Sequence, residues 1–258
     1  MNDHDQNLAK AFDGQAPLFE IAPVQSDPIA LKRLVSEADL PPDSLVLDAG
    51  CGPGLVSAAF LEAGHRVVGV DLSSEMVARA IKRCGNYPGR AKFFQGSLFD
   101  PAIESEGPFD AAISRYVIHH VTDPGAFLAR QVALLRPAGV AVACDHVADP
   151  DASIAAFHAR VEVGRDQTHV RNLTGGELVD LFASVGLFSI RLVEEPFTLD
   201  FNEWFDRGTP SEAKETVRDW LLNGASIRTF RPKEQDGGAI RIDCVRAIVR
   251  GLKSLPFE

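Results

Sequence analysis

Hydrophobic positions along the chain alternate between two spacings. Short apolar runs at Leu45–Leu47 and Val67–Val70, with residues 91–95 and Phe109–Ile113, have the length and bounding turns of strands, and Val140–Cys144, almost all apolar, reads as a strand covered on both faces. Amphipathic stretches separate them. Leu55–Ala63 is closed by Gly64; Ser73 is a helix cap with Met76 and Val77 opening the apolar face; Pro124–Leu135 is capped by Thr122 or Asp123 and ended by Arg136-Pro137-Ala138-Gly139. Strands alternating with helices predict right-handed crossovers and a parallel sheet. Upstream, Asp27-Pro28 opens a helix over Ile29–Val35, and Pro41-Pro42 closes it. Downstream, the pattern predicts helices at Ala152–Val163, Gly176–Ser184 and Ser211–Leu222, with Thr174 and Glu177 set as a capping box. Two longer runs, Phe188–Glu195 and Ile240–Leu252, read as an antiparallel pair of strands.

The expected fold class is therefore α/β, a mostly parallel sheet of seven strands. The chain is expected to form a single domain over 1–258. Residues 27–147 are its core, and 148–258 supply helical insert segments and the terminal strand pair. Residues 1–26 are polar with isolated aromatics, Phe12 and Phe19. They read either as a tail docking one ring or as a lid that closes over bound molecules.

Composition narrows the partners. The 258 residues, 45% of them hydrophobic, suffice for a substantial core. A formal charge of −10 gives no basic stripe for a polyanion, so no nucleic-acid partner is expected; the small cluster Arg228, Arg231 and Lys233 reads as solvated. Cys51, Cys84, Cys144 and Cys244 are scattered without metal-ligand or disulfide spacing, which suits a reducing, cytoplasmic setting and predicts no metal. The first residues carry acids and no apolar stretch, so no signal peptide is expected, and no apolar run is long enough for a membrane span.

The chemistry concentrates between Leu45 and Asp71. The loop Asp48-Ala49-Gly50-Cys51-Gly52-Pro53-Gly54 joins the first strand to its helix. Glycines there let the backbone turn sharply and a ligand approach, and the helix start presents unpaired N–H groups. Asp71 ends the second strand, where a carboxylate can accept bonds from both hydroxyls of a ribose. A dinucleotide loop would place a third glycine where Leu55 stands, and the carboxylate of Asp48 would repel a pyrophosphate but suit an ammonium or sulfonium. A nicotinamide enzyme is the weaker reading; a purely structural turn leaves Asp48 and Asp71 unexplained.

These residues resemble the first two motifs of class I S-adenosylmethionine-dependent methyltransferases: a hydrophobic strand running into D-A-G-C-G-P-G, then V-D at the end of the next strand. Ser114-Arg115-Tyr116, His119-His120 and Asp123-Pro124 resemble the ubiquinone/menaquinone-biosynthesis-like branch, and the segment D-F-N-E-W-F-D-R-G-T-P around Trp204 resembles a C-terminal signature of some small-molecule members. The close motifs cover about residues 44–145. The resemblance implies a doubly wound, seven-stranded α/β sheet antiparallel only at its last strand, with S-adenosyl-L-methionine as methyl donor and S-adenosyl-L-homocysteine as product. It implies donor contacts at Asp48, Gly50, Cys51, Gly52, Gly54, Asp71, Leu72, Met76, Gly96, Ser97, Leu98 and Arg115. Ser97 stands where family members often carry an acid against the adenine amino group; a hydroxyl can accept that bond too.

Substrate residues are less determined. Ligands in such sheets lie beyond the carboxyl ends of the strands, which brings forward His119, His120 and His146 as candidate bases, in that order, or as structural hydrogen bonders. Tyr116, Asp145, Arg165, His169, Trp204 and Arg207 are the candidate acceptor contacts; residues 165–171 read as a clamp or a solvated loop, and Trp204 equally as core. The expected reaction moves a methyl group to O, N, C or S of a small-molecule acceptor, in a monomer or homodimer. Methylation of protein or nucleic acid, donor binding without transfer, and cyclisation or elimination of the donor are the competing readings.

Overall fold

The computed structural model describes residues 3–224 and 229–255; Arg228, one of the three residues of the basic cluster, lies outside them. In chain order the elements are helices α1 (Asp3–Ile21), α2 (Pro23–Ser26) and α3 (Pro28–Ala38), strand β1 (Leu45–Ala49), α4 (Leu55–Glu62), β2 (Arg66–Asp71), α5 (Ser74–Arg83) and β3 (Ala91–Gln95). Next come α6 (Pro101–Glu104), β4 (Phe109–Arg115), a 3-10 turn at Ile118–His120, α7 (Pro124–Leu134) and β5 (Leu135–His146). The remainder is α8 (Ala152–Arg165), α9 (Gly175–Ser184), β6 (Leu187–Asp200), α10 (Phe201–Asp206), α11 (Lys214–Asn223), β7 (Phe230–Glu234) and β8 (Ile240–Lys253).

Alternate residues of the parallel strands enter different cores, as the two-residue period of a strand requires. Leu47, Ala49, Val68, Val70, Ala141 and Ala143 pack on one face, and Val46, Val67, Ala111, Ile113, Val140 and Val142 on the other. The strand order is β3-β2-β1-β4-β5-β8-β6. β1 through β5 pair in parallel, and β8 runs antiparallel to both β5 and β6. The order reverses between β1 and β4, which opens a crevice beyond their carboxyl ends. The expected seven strands and antiparallel last strand are all present.

An eighth strand was not legible. β7 pairs with the first part of β8 beyond the end of β5, whose own pairing covers only Arg246–Leu252 of β8. Its sequence, FRPKE, is polar and holds Pro232, which an outer strand tolerates. β6, β7 and β8 extend past the main sheet and carry a third core with Trp204, Phe205, Phe230, Ile242 and Val217. Other boundaries moved. β5 begins at Leu135, directly after α7, because Arg136 and its neighbours continue the strand instead of forming a separate helix stop. Residues 1–26 were read as tail or lid; from Asp3 they are largely helical.

Candidate active site

The crevice holds a cavity of about 330 Å³ at the carboxyl ends of β1, β2 and β4, roofed by α1. The loop after β1 forms its floor. Gly50 has φ +77°, and an added Cβ would lie 2.6 Å from Cγ2 of Val117, so only glycine fits there. Asp71 is the loop's partner. One carboxylate oxygen accepts from the N–H of Gly52 at 2.8 Å, and the other from Ser73 at 2.9 Å. Two bonds leave acceptor capacity on a carboxylate, and burial pushes its pKa up to about 6. An anion held at a pKa near neutrality and still short of donors suits a pair of sugar hydroxyls.

Ser73 caps α5: its hydroxyl oxygen accepts from the N–H of Met76 at 3.1 Å. It also donates to Asp13 of α1 at 2.6 Å. Ten of the twelve expected donor contacts line this cavity: Gly50, Cys51, Gly52, Asp71, Leu72, Met76, Gly96, Ser97, Leu98 and Arg115. The Ser97 hydroxyl accepts from the N–H of Phe99 at 3.2 Å, so it orders its own loop.

Two expected contacts are elsewhere. Asp48 does not line the cavity; it lies beneath the loop, where its carboxylate accepts from Ser57 Oγ at 2.6 Å, and burial raises its pKa to about 7. A half-neutral carboxyl bound to a serine organises the loop rather than facing a cation. Gly54 serves packing instead: an added Cβ would lie 2.8 Å from Cα of Ala80, so this glycine lets α4 and α5 approach.

Behind the large cavity lies a chamber of about 30 Å³. The two share Phe19, Gln25, Tyr116 and His120 as wall. The chamber also takes in His119, His146, Arg165, Trp204 and Arg207. Nδ1 of His119 is 2.5 Å from Oδ1 of Asp145, whose other oxygen accepts from the His119 N–H at 3.3 Å. Burial pulls the His119 pKa down, but the Asp145 charge and hydrogen bond outweigh it and leave the value raised. Asp145 is depressed in turn, because the same partner overcomes its burial. With Nδ1–H given to Asp145, Nε2 is the free base position.

Burial favours the neutral form of His120 and His146. Burial, then the charge of His119, lowers His120 to about 3; its Nδ1 donates to the Thr168 carbonyl at 3.0 Å. Burial also lowers His146 to about 3. Asp145 and His169 line neither cavity. Asp145 acts through His119, and His169 is buried with its ring 5.3 Å from that of His119. The solvated-loop reading of residues 165–171 is overturned for its centre: Asp166, Thr168 and His169 are all buried, with Thr168 Oγ1 donating to Asp166 at 2.7 Å. Arg165 likewise donates from Nε to the Trp204 carbonyl at 2.9 Å, so Trp204 is both core and chamber wall.

Sequence reasoning read residues 1–26 as a tail or a lid but named none of the side chains of α1 or α2 as site residues. His4, Leu8, Phe12, Phe19 and Gln25 all line the large cavity. Leu8, Phe12 and Phe19 stand four and seven apart, one helical face, and Asp3 and Asp5 are suitable first-turn acids; that signal was present. Arg115 fastens this segment, donating to the carbonyls of Val24 and Gln25 at 2.9 Å each. Asn172 and Glu162, also missed, line the chamber and had no motif to mark them.

Residues 46–139 match the family model of a methyltransferase domain. A ubiquinone biosynthesis O-methyltransferase of Xanthomonas campestris pv. campestris is 34% identical over 125 residues, 48% of this chain and 50% of that protein, so this chain spans about half the length of that relative. The uncharacterized methyltransferase YcgJ of Bacillus subtilis is 25% identical over 246 residues, 94% of this chain and 97% of that protein. The crystal structure of YcgJ superposes with a TM-score of 0.76 at 24% identity, covering 87% of this chain and 98% of that one. Among the described residues no helix is long and apolar enough to cross a membrane. The glycine loop and the acid closing β2 both lie within the matched stretch, so the chain carries a methyltransferase domain over residues 46–139.

Proposed function

We propose that this chain binds S-adenosyl-L-methionine in the large cavity and transfers its methyl group to an oxygen of a small-molecule acceptor. One observation carries the reading: the buried His119–Asp145 pair stands on the far side of a wall shared with the glycine-loop cavity. Asp71 would hold the ribose, the Gly50–Gly52 backbone would face the amino-acid part, and Met76 and Leu98 would flank the adenine. The bound donor supplies an electrophilic methyl carbon, so the protein's remaining tasks are alignment, a dry site and removal of the acceptor's proton. His119 Nε2 takes that proton, and Asp145 holds the ring and stabilises its charged form, a role on the order of 10²–10⁴ in rate. An acceptor with a hydroxyl needs such a base, whereas a thiolate or neutral amine does not. The Xanthomonas relative, a ubiquinone biosynthesis O-methyltransferase, likewise methylates oxygen.

Residues 3–26 act in this reading as a lid over both cavities. His4 Nε2 donates to the His120 carbonyl at 2.8 Å, Gln15 to Thr209 Oγ1 at 2.7 Å, and Glu20 pairs with Arg79 and Arg83. The lid and the core work as one domain, alone or as a homodimer, in the cytoplasm; four buried free cysteines fit a reducing compartment. A charge of −10 favours a small acceptor over nucleic acid. Calorimetry is the test: S-adenosyl-L-homocysteine should bind and NAD should not. The reverse result, or absence of methylated product across a panel of hydroxylated acceptors, removes the assignment.

A further inference from the structure

The small chamber contains polar groups that donor binding and proton removal do not use. Asn172 is 5% exposed, and neither its Oδ1 nor its Nδ2 has a hydrogen-bond partner among the described residues. Arg207 is 4% exposed, and its Nε is likewise unpartnered. Both residues line the chamber. Buried polar atoms are nearly always satisfied, so two donors and one acceptor left open on one wall describe the ligand that would complete them.

The charges there are already matched. Nη1 of Arg165 stands 3.3 Å from Asp166 Oδ2, and Arg207 pairs with Glu203. Arg246, which donates to the hydroxyl of Tyr116 at 3.0 Å, has Glu195 at 2.9 Å. Glu162 lines the chamber itself, 3.3 Å from His158 Nε2, and its pKa is held well below the usual range despite burial, chiefly by that histidine bond. No guanidinium on this wall lacks a carboxylate, and a phosphorylated or carboxylated head would meet Glu162. Bringing an anion in would strip its water without supplying a counter-charge.

We infer that this chamber is the polar subsite of the methyl acceptor, that it takes an uncharged head group with a carbonyl beside a hydroxyl, and that Asn172 is its specificity-determining residue. The inference rests on the methyltransferase reading above and names its acceptor class. The amide of Asn172 offers a donor and an acceptor side by side, which an adjacent carbonyl and hydroxyl complement. Nε of Arg207 adds a second donor for the carbonyl oxygen. A volume of about 30 Å³ admits only the head, so the body of the acceptor lies in the larger cavity, past Phe19 and Tyr116.

A matched series tests this on protein saturated with S-adenosyl-L-homocysteine: 2-hydroxy-1-phenylethanone, acetophenone and phenacyl phosphate, measured by calorimetry. The hydroxy-ketone should bind about tenfold more tightly than acetophenone and more tightly still than the phosphate ester, one hydrogen bond's worth per step. Asn172→Ala should lower hydroxy-ketone affinity about tenfold more than acetophenone affinity, because only the hydroxy-ketone loses the hydroxyl bond as well as the carbonyl bond, and should leave S-adenosyl-L-homocysteine affinity intact. Should that variant not fold, Asn172→Asp, of the same shape without the donor, takes its place. Phosphate binding as tight as the hydroxy-ketone, an equal loss for all three probes, or no binding by any of them overturns the inference. Failure of S-adenosyl-L-homocysteine to bind would instead overturn the donor reading.

Discussion

Asp71 makes donor binding depend on pH in a direction and size that follow from its surroundings. Burial raises its pKa to about 6, against the bonds from Ser73 and Gly52 that favour the anion. Ribose hydroxyls donate, so the ionised carboxylate is the binding-competent form. At pH 7 about nine-tenths of the free protein has it, and at pH 5 about one-tenth; the apparent dissociation constant divides by that fraction, so affinity should fall about tenfold from pH 7 to pH 5 and be flat above pH 7. Adenosine is the probe of choice because it carries the ribose without the amine or carboxylate of the full donor. Isothermal titration from pH 5 to 8 reads the effect directly. Asp71→Asn should abolish the dependence and weaken binding at pH 7 by about 1.5–3 kcal/mol, the worth of hydrogen bonds to a charged group. Asp48, raised to about 7 beneath the same loop, is the competing titration; Asp48→Asn should keep the dependence if Asp71 causes it. Equal adenosine affinity at pH 5 and pH 7, in protein that remains folded, refutes the reasoning.

Four further expectations concern the rest of the site. His119→Ala should lower kcat by about 10²–10⁴ with S-adenosyl-L-homocysteine affinity unchanged; a loss below threefold removes it as the base. Because Asp145 raises the His119 pKa against burial, the rate should climb with pH through a midpoint above the ordinary histidine value, as the imidazolium loses its proton. Asp145→Asn removes the main influence that raises the His119 pKa, so that midpoint should move to lower pH while the plateau falls, and a midpoint that stays in place contradicts the pairing. Gly50→Ala puts a Cβ 2.6 Å from Val117 at a φ of +77°; left-handed strain alone costs about 1–2 kcal/mol, and the thermal shift given by S-adenosyl-L-homocysteine should disappear. Asp13→Ala removes the acceptor for the Ser73 hydroxyl and for the Glu75 N–H at 3.2 Å. At about 1 kcal/mol for each of the two bonds, product dissociation followed by stopped flow should accelerate about thirtyfold, and an unchanged rate argues against a lid.

What the sequence disclosed and what it withheld divide along the range of the interactions involved. The loop from Asp48 to Gly54 and the acid at Asp71 were legible because their partners are neighbours in one strand–helix–strand unit: Gly52 N–H to Asp71, Ser73 N–H to Asp71, Met76 N–H to Ser73. The Thr174–Glu177 capping box was legible for the same reason. The role of Asp48 was misread because strand pattern shows that a residue lies at the end of β1 but not whether its side chain points into the crevice or toward Ser57. The chamber was only half visible. Trp204 and Arg207 stood out as residue types, yet Asn172 and Glu162 meet them only through the third core, where α8, α10 and the extended β6–β8 strands converge. Nothing in a polar, irregular stretch such as RDQTHVRN marks which side chains will be enclosed. Packing brings Arg165 against the Trp204 carbonyl and so turns that stretch inward, since its polar groups find partners there: Thr168 on Asp166, and His120 on Thr168. A loop rich in hydrogen-bonding side chains is thus as well suited to lining a buried polar chamber as to facing water, and only the long-range contacts decide between them.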